Sequence, residues 1–228
     1  MQNARASILK QADLFLGLDD EIVELLALRS VERRLLRDEI LFVAGDPAAG
    51  LYVVAEGSVR AFRSGLDGRE QVIHVERAVT TVAEVPVFDE GNYPSTVAAE
   101  EPTLVLFIPR ADIRSACMSH PQLALAAARL LAVRLRKCAE LVESLSLREV
   151  GQRIAKLFLQ EATGRANADG TLVFQQKLTH NQLAARIGTV REVVTRALFK
   201  IQSMGLVSID GKNVTIPDPK ALKRYSDS

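Results

Sequence analysis

Residues 119–147 contain no glycine, and their single proline, Pro121, lies near the start of the stretch. Proline is tolerated in the first turn of a helix, and Ser119 or His120 can cap a helix that begins there. The stretch therefore predicts one long helix. Its apolar residues recur at alternating spacings of four and three: Ala124, Ala128, Leu131, Leu135, Cys138, Val142 and Leu145.

An apolar seam with these spacings over three heptads is typical of a two-stranded coiled coil. We expect six of its members to form the interface of a homodimer: Ala128, Leu131, Leu135, Cys138, Val142 and Leu145. The charged residues fall elsewhere on the predicted helix surface: Arg129, Arg134, Arg136, Lys137, Glu140 and Glu143. The alternative is a helix that packs on its own domain.

The region before this helix has a different periodicity. Residues 5–30 carry apolar residues at spacings near three and four, which predicts short amphipathic helices. Residues 31–110 instead give brief β-prone runs, such as LYVVAEGSVRAF and TLVLFIP, divided by the turn signals GDPAAG, SGLDG and DEGNYP. Short strands at close intervals predict an antiparallel barrel or sandwich.

The charge is divided unevenly along the chain. Residues 11–110 carry 9 Lys and Arg against 18 Asp and Glu, a balance of −9. Residues 111–228 carry 18 against 10, a balance of +8. Such an asymmetry indicates an acidic module joined to a module that meets a polyanion.

In the basic half of the chain, two predicted helix starts share the same capping pattern. Thr179 is followed three residues later by Gln182, and Thr189 by Glu192, and each pair fits a capping box. Gly188 lies between them. The sequence thus predicts a helix, a tight turn and a second helix, with these side chains facing inward: Leu183, Ala184, Ile187, Val190, Val194, Leu198 and Ile201.

The outward stripe of the second helix indicates a DNA-reading surface. Arg191, Glu192, Thr195, Arg196 and Phe199 share this stripe, which starts in the first turns of the helix. A recognition helix presents such residues to base edges in the major groove. Arg can donate to guanine, Glu can accept from cytosine and Thr can contact a base, so we predict base contacts from the first four residues at a half-site containing G·C pairs. The alternative is a solvated face with an intrahelical ion pair.

Basic residues and a hairpin complete this segment. Between Lys177 and Lys200 there are five Lys and Arg and a single acid, which favours attraction to phosphates. Two strand runs then flank the turn 210–213, which predicts a hairpin with Lys212 at its tip. A helix-turn-helix followed by a hairpin is a winged form of the motif, and Lys212 is a candidate contact to the DNA backbone.

Other classes of protein are not supported. The sequence has no GxSxG, P-loop, GxGxxG or HExxH motif, and its three histidines offer no nucleophile–base pair, so we do not expect an enzyme. No apolar run approaches the roughly 18–20 residues of a membrane span, and the N-terminus lacks the order of a secretion signal. We expect a cytoplasmic protein without a membrane partner. Cys117 and Cys138 form no CxxC unit, which argues against zinc and iron–sulfur sites.

Taken together, GDPAAGLYVVAEGSVR, SLREVGQRIAKLFL and LTHNQLAARIGTVREVVTRALFKIQSMGLV resemble the Crp/Fnr family of bacterial transcription regulators. The resemblance covers nearly the whole chain. It implies an α+β fold: an effector-sensing, cyclic-nucleotide-binding-type β-roll (double-stranded β-helix or jelly roll) with N-terminal helices at 1–118, a dimerisation helix at 119–147, and a winged helix-turn-helix at 148–228.

The resemblance also implies a site and partners. The family's Arg-Glu-x-x-x-Arg pattern contacts TGTGA-like half-sites, and here Arg191, Glu192 and Arg196 match it, while Thr195 stands where the Fnr branch usually has Ser. Thr179 is implied as a contact to the DNA backbone, and we add His180 and Lys200 to that set. The expected partners are double-stranded palindromic DNA, a second copy of the chain and RNA polymerase.

The loop AEVPVFDEGNYPSTV falls where cyclic-nucleotide members of the family hold the ribose and the cyclic phosphate. Glu84 matches the acidic position and Ser95 the hydroxyl position, but Ala83 replaces a Gly and Pro94 the Arg that binds phosphate. Loss of a charge-assisted contact argues against cyclic AMP. A nest of backbone N–H groups could still hold another anion. The expected effector pocket comprises Glu84, Val85, Asn92, Tyr93, Ser95 and Thr96.

The effector itself stays open. The family's iron–sulfur cluster cannot be assembled from two cysteines, and the loop is more similar to Dnr-like members, which are associated with haem and nitric oxide. Haem is therefore one option, with His74 as a candidate ligand, while His120 is assigned to capping and His180 to the DNA-binding motif. A core or surface histidine is the other interpretation of His74. Cys138 is either a redox reporter on the seam or a small apolar residue.

These predictions combine into an allosteric hypothesis: an effector in the β-roll changes the packing of the long helices and reorients the DNA-binding modules. Two alternatives remain. One is a constitutive DNA-binding regulator with a vestigial roll, and the other is a ligand-binding module that acts through protein partners.

Overall fold

The computed structural model describes residues 2–162, 167 and 170–228. Its internal contacts divide the chain into a first unit, Met1–Arg63 with Val72–Ala139, and a second unit, Ser64–Gln71 with Glu140–Ser228. The division along the main chain falls inside the long helix. Each unit has its own apolar core.

The first unit combines helices with two sheets. In chain order its elements are α1 (Gln2–Gln11), α2 (Asp20–Arg29), β1 (Val31–Leu35), β2 (Ile40–Phe42), β3 (Gly50–Glu56), β4 (Ser58–Ser64), β5 (Glu70–Arg77), β6 (Thr80–Val82), α3 (Glu84–Asp89), β7 (Thr96–Ala99), β8 (Thr103–Pro109), α4 (Arg110–Ser119) and α5 (Pro121–Leu147). The strands form two four-stranded sheets, in the orders β1-β8-β3-β6 and β2-β7-β4-β5. The antiparallel pairing of β1 and β3 with β8, and of β2 and β4 with β7, confirms the predicted β-roll.

Strands β3 and β8 are apolar on both faces because each face meets a different layer. On one face, Leu51, Val53 and Leu106 join the core formed with α1, α2, α4 and α5. On the other face, Tyr52 and Val54 join the core between the two sheets. Because successive side chains of a strand point to opposite faces, this strand pair packs against a helical layer on one side and the second sheet on the other.

Helix α5 begins at Pro121, as predicted, and is a single helix of 27 residues. One face of its first half packs into the first unit's core through Leu123 and Ala127. The predicted seam lies on a different face, where Leu135 is 71% exposed and Val142 64% exposed. Helix α4 was not predicted as a separate element, and a single residue, His120, separates its end from the start of α5 at Pro121.

The second unit contains the predicted winged helix-turn-helix. Its elements are α6 (Val150–Glu161), β9 (Leu172–Gln175), α7 (His180–Ile187), α8 (Arg191–Ser203), β10 (Ser208–Asp210), β11 (Asn213–Ile216) and α9 (Pro219–Asp227). The strands form one antiparallel sheet in the order β10-β11-β9. Between β10 and β11 the chain turns through Gly211 and Lys212, which confirms the hairpin and leaves Lys212 exposed at its tip.

One of the two predicted capping boxes is present. The Thr179 hydroxyl accepts from the Gln182 amide, and the Gln182 side chain accepts from the Thr179 amide at the start of α7. The second prediction is wrong, because Val190, not Thr189, precedes α8 and no side chain caps that helix. Gly188 ends α7 at a φ of +70°, a left-handed conformation that glycine adopts at low cost.

Candidate effector pocket and nucleic-acid interface

The first unit contains a cavity of about 290 Å³. Its walls come from the β2-β7-β4-β5 sheet, from β6, from α3 and the segments next to it, and from α5, and most of them are apolar. The lining includes apolar side chains, such as Phe42, Ile73 and Val97, and polar ones, such as Glu84, Ser95 and Lys137. Concave, mostly apolar sites with a few polar groups are typical of small-molecule pockets.

A buried ion cluster forms one side of the cavity. Arg134 of α5 forms an ion pair with Glu76 and donates from Nη2 to Glu84 Oε1 at 2.9 Å and to the Thr81 carbonyl at 2.8 Å. The Thr81 hydroxyl donates to the same Glu84 oxygen at 2.5 Å. Both carboxylates are almost fully buried, so each depends on this guanidinium for its opposite charge.

Burial and these charges shift the pKa values of the cluster. Burial raises the pKa of Glu76, although Arg134 opposes that shift. Burial alone would lower the pKa of Arg134, but Glu84 and Glu76 outweigh it and raise that pKa. Burial, with a contribution from Arg134, lowers the pKa of His74 to about 4. His74 is therefore a neutral imidazole in the cavity wall near neutral pH.

Three of the six predicted pocket residues line this cavity: Glu84, Val85 and Ser95. The other three do not. Tyr93 is buried in the core between the sheets, where its ring stacks on Phe42 with centroids 3.8 Å apart. The Thr96 hydroxyl accepts from the Ala44 amide at 3.1 Å, and Asn92 is exposed in an isolated bridge with Pro47. Pro94, which stands in the expected Arg position, does line the cavity.

Arg134 was predicted on the helix surface, and this prediction is wrong. The side chain is only 14% exposed and lies on the inward face of α5. A usable signal was present, because Leu123, Ala127, Leu130 and Arg134 follow spacings of four, three and four. Lys137 and Cys138 lie one turn further along and also line the cavity. Cys138 therefore belongs both to the predicted seam and to the cavity wall.

The predicted DNA-reading residues lie together on α8. Arg191, Glu192, Thr195 and Arg196 are all exposed, and Phe199 is 74% exposed. The opposite face of the helix is buried through Val194, Leu198 and Ile201. In the part of the chain that the structure describes, Arg191, Glu192 and Arg196 form no ion pair, so of the alternative only the solvated face is seen. Their charged groups are available to a partner.

One of the predicted backbone contacts, His180, lies against this face. Thr179 and His180 begin α7, and the His180 Nδ1 lies 3.1 Å from the Thr195 hydroxyl, which donates to the Arg191 carbonyl. These contacts hold the start of α7 against the exposed face of α8. Lys200, in contrast, has an acidic partner: its Nζ lies 3.4 Å from Glu149.

None of the helices among the described residues is both long enough and apolar enough to span a membrane. Within residues 2–162, 167 and 170–228, no three His, Cys, Asp or Glu side chains are placed to share a metal ion.

Comparison with known proteins gives two domain matches. Residues 32–120 match the cyclic nucleotide-binding domain, and residues 152–225 match the Crp-like helix-turn-helix domain. The chain is 32% identical to the cyclic AMP receptor protein of Thermus thermophilus over 96% of its own length and 98% of that protein. It is 28% identical to the CRP-like cAMP-activated global transcriptional regulator of Mycobacterium tuberculosis, over 95% and 97%.

Among solved structures, the c-di-GMP responsive global regulator CLP of Xanthomonas campestris superposes with a TM-score of 0.77 at 23% identity, over 88% of this chain and all of that one. This likeness concerns the fold. The domains and the fold define a DNA-binding transcription regulator, and these relatives are regulators, which agrees with the prediction that the chain is not an enzyme. The chain belongs to the Crp/Fnr family of transcription regulators.

Proposed function

We propose that the protein is an effector-responsive regulator that binds a palindromic operator as a homodimer. Helix α5 carries the proposal. Its inward face holds Arg134 in the wall of the cavity, and its exposed face holds the apolar seam with Leu135 and Val142. A molecule in the cavity therefore touches the same helix that would pack against a second copy. A ligand that contacts α5 differently in two dimer arrangements would shift the equilibrium between them.

The seam supports the homodimer because four of its six predicted interface residues lie exposed, with Leu131 and Leu145 half-buried, while a different face in the first half of α5 packs into the first unit. Exposed leucines and valines at heptad spacing lose contact with water when two such helices pair. Regulators of this family act as dimers. A twofold dimer would present two copies of α8 to two half-sites of the DNA. The centres of these half-sites lie one helical turn, roughly 34–36 Å, or a whole number of turns apart.

Sequence-specific binding is assigned to the exposed face of α8. Arg191 and Arg196 are the candidate guanine contacts, Glu192 the candidate cytosine contact and Thr195 a further base contact. Thr179, His180 and Lys212 are the proposed contacts to phosphates. Lys200 can take this role only by releasing Glu149, so we rank it below the others.

Cyclic AMP is not the effector that the cavity favours. Pro94 lines the cavity where the family's phosphate-binding Arg would stand, and Glu84 is already engaged by Thr81 and Arg134. Ribose recognition by Glu84 would compete with an existing buried ion pair. A haem-type ligand finds one histidine in the wall, His74, whose imidazole is neutral and half-exposed.

Operator selection from random DNA, followed by fluorescence anisotropy, tests this proposal. We expect palindromic sites, and we expect Arg196→Ala to weaken binding by about 1–3 kcal/mol and to relax base preference at one position of each half-site. Arg224→Ala, an exposed basic residue of α9, is the matched control and should change neither property. Equal losses in both variants, or no specific site at all, would favour a module that acts through protein partners.

A further inference from the structure

The cavity in the first unit restricts the chemistry of its occupant, provided that the proposed function is correct. Its body is apolar: Phe42, Ala61 and Val97 come from one sheet, and Val82 and Val85 close the other side. Transfer of apolar surface from water into such walls is favourable, whereas buried polar groups need partners. At about 290 Å³, the space suits a small molecule whose bulk is hydrocarbon.

The acidic groups in the wall are already satisfied. Glu84 Oε1 accepts from both Arg134 and Thr81, and Glu76 pairs with the same guanidinium. A ligand that relied on hydrogen bonds to these carboxylates would have to displace Arg134. The structure therefore offers little to a sugar or to a ligand with several hydroxyl groups.

Several polar groups in the wall remain open, among them the buried Nε of Arg134, which has no hydrogen-bond partner within the described residues. Ser95 is 6% exposed, and its hydroxyl forms no hydrogen bond within the described ranges. Lys137 lines the cavity one turn after Arg134, and in the described part of the chain its ammonium group forms no ion pair. A hydroxyl without a partner, a guanidinium N–H without a partner and an ammonium group in one cavity wall are complementary to an anionic oxygen. A dianionic phosphate would need more than this, because Pro94 adds no cation and the Arg134 guanidinium is already paired with Glu76 and Glu84.

We propose that this site binds a small apolar monoanion, such as an aryl or medium-chain carboxylate, with its acidic group at Lys137 and Ser95 and its hydrocarbon part between the sheet and α3. The ligand would then contact α5 directly through Lys137. The charge supplies selectivity for acids over neutral analogues, and the apolar walls supply the bulk of the affinity.

Isothermal titration of the full-length protein with octanoate and phenylacetate, each beside its neutral amide, tests the proposal. We expect one carboxylate per chain, bound at least about tenfold more tightly than its amide. Lys137→Met should reduce that preference to below about threefold, and Ser95→Ala should weaken carboxylate binding severalfold. Arg136→Met is the matched control, because Arg136 directly precedes Lys137 in α5 but lies outside the cavity. This variant should retain the wild-type preference for the carboxylate.

A substitution that fills the cavity with a larger side chain gives an independent check. Ala61→Phe should abolish binding of both carboxylate and amide, and circular dichroism on the same sample establishes whether the fold is kept. If that variant does not fold, Lys137→Met and its control decide the question alone. Equal affinities for acid and amide, no binding of either carboxylate, or displacement of the carboxylate by tighter-binding cyclic AMP would overturn the proposal.

Failure of this inference can be told apart from failure of the proposed function. Operator binding is measured on the same preparations without any carboxylate. A protein that selects palindromic DNA but binds no carboxylate would overturn only the ligand class. A protein that selects no DNA would overturn the proposed function whatever the calorimetry shows.

Discussion

Arg134 Nη2 lies 2.9 Å from Glu84 Oε1, and the same guanidinium pairs with Glu76, so one side chain of α5 neutralises two buried carboxylates. Glu84 begins α3 and Glu76 belongs to β5. The cluster therefore fixes α5 to two other elements at the edge of the cavity. Removal of the cation would leave both acids buried without an opposite charge.

Arg134→Met should lower the free energy of unfolding by about 3–5 kcal/mol, the usual cost of breaking a buried ion pair from one side. Urea denaturation followed by circular dichroism measures this loss. Arg136→Met on the exposed surface of the same helix is the control, and we expect a change within about 0.5 kcal/mol. Similar losses in both variants would show that the helix, rather than the ion cluster, is sensitive to substitution.

The deficit of Arg134→Met should also depend on pH. Burial raises the pKa of Glu76 in the folded protein, and the opposing effect of Arg134 is lost in the variant. An acid whose folded pKa lies above its unfolded pKa favours the folded state as pH falls. Hence the gap between variant and wild type should narrow from pH 7 to pH 5. A gap that is constant or widens over this range would contradict the assignment.

His74 should make the wild-type protein less stable as pH falls. Its pKa drops from 6.5 to about 4 on folding because of burial and Arg134, so between these values the unfolded state binds a proton that the folded state does not. Stability is fully present above pH 6.5 and declines towards pH 4. His74→Gln should flatten that part of the curve, most clearly between pH 6.5 and 5. The same slope in the variant would assign the pH dependence to other groups.

Much of the architecture could be predicted because it rests on local signals. Short apolar runs separated by turn signals predicted the strands of the β-roll. The absence of glycine after Pro121 predicted α5. The winged module was equally accessible, since Gly188 and the Thr179–Gln182 pair mark its turn and one helix start. The second start was misplaced because Val190, which caps nothing, precedes α8 in extended backbone.

The cavity could be predicted only in part. Glu84 and Ser95 were accessible through a local pattern, whereas Arg134 and Lys137 reach the same cavity from a helix some fifty residues away in the sequence. Tyr93 was included in the predicted pocket because position in a loop does not reveal that a ring packs inward, here on Phe42. Whether a side chain faces the cavity depends on packing between segments far apart in the sequence, and the local periodicity does not specify that packing.

Ala83 provides a test of backbone strain beside the pocket. Its φ is +71°, in the left-handed region that costs a residue with a Cβ roughly 1–2 kcal/mol. Ala83→Gly relieves this cost but adds entropy to the unfolded chain, so we expect a net gain of about 0.5–1 kcal/mol in thermal or urea denaturation. Ala99→Gly, in strand β7, is the contrasting control and should destabilise the protein. A loss of stability in Ala83→Gly would show that the methyl contacts outweigh the strain.

Leu135→Glu tests the seam on α5. Leu135 is 71% exposed in the single chain, so the substitution should leave the fold of each chain intact while placing two carboxylates against each other in a coiled-coil pair. We expect light scattering to show the mass halved at micromolar concentration, and operator affinity to fall at least about tenfold because two half-sites are no longer engaged together. Leu66→Glu places the same charge on an exposed apolar residue outside the seam and should remain dimeric. A Leu135→Glu protein that keeps the wild-type mass and circular dichroism would exclude this face of α5 as the dimer interface, and the loss of operator affinity would then have to come from elsewhere in the chain.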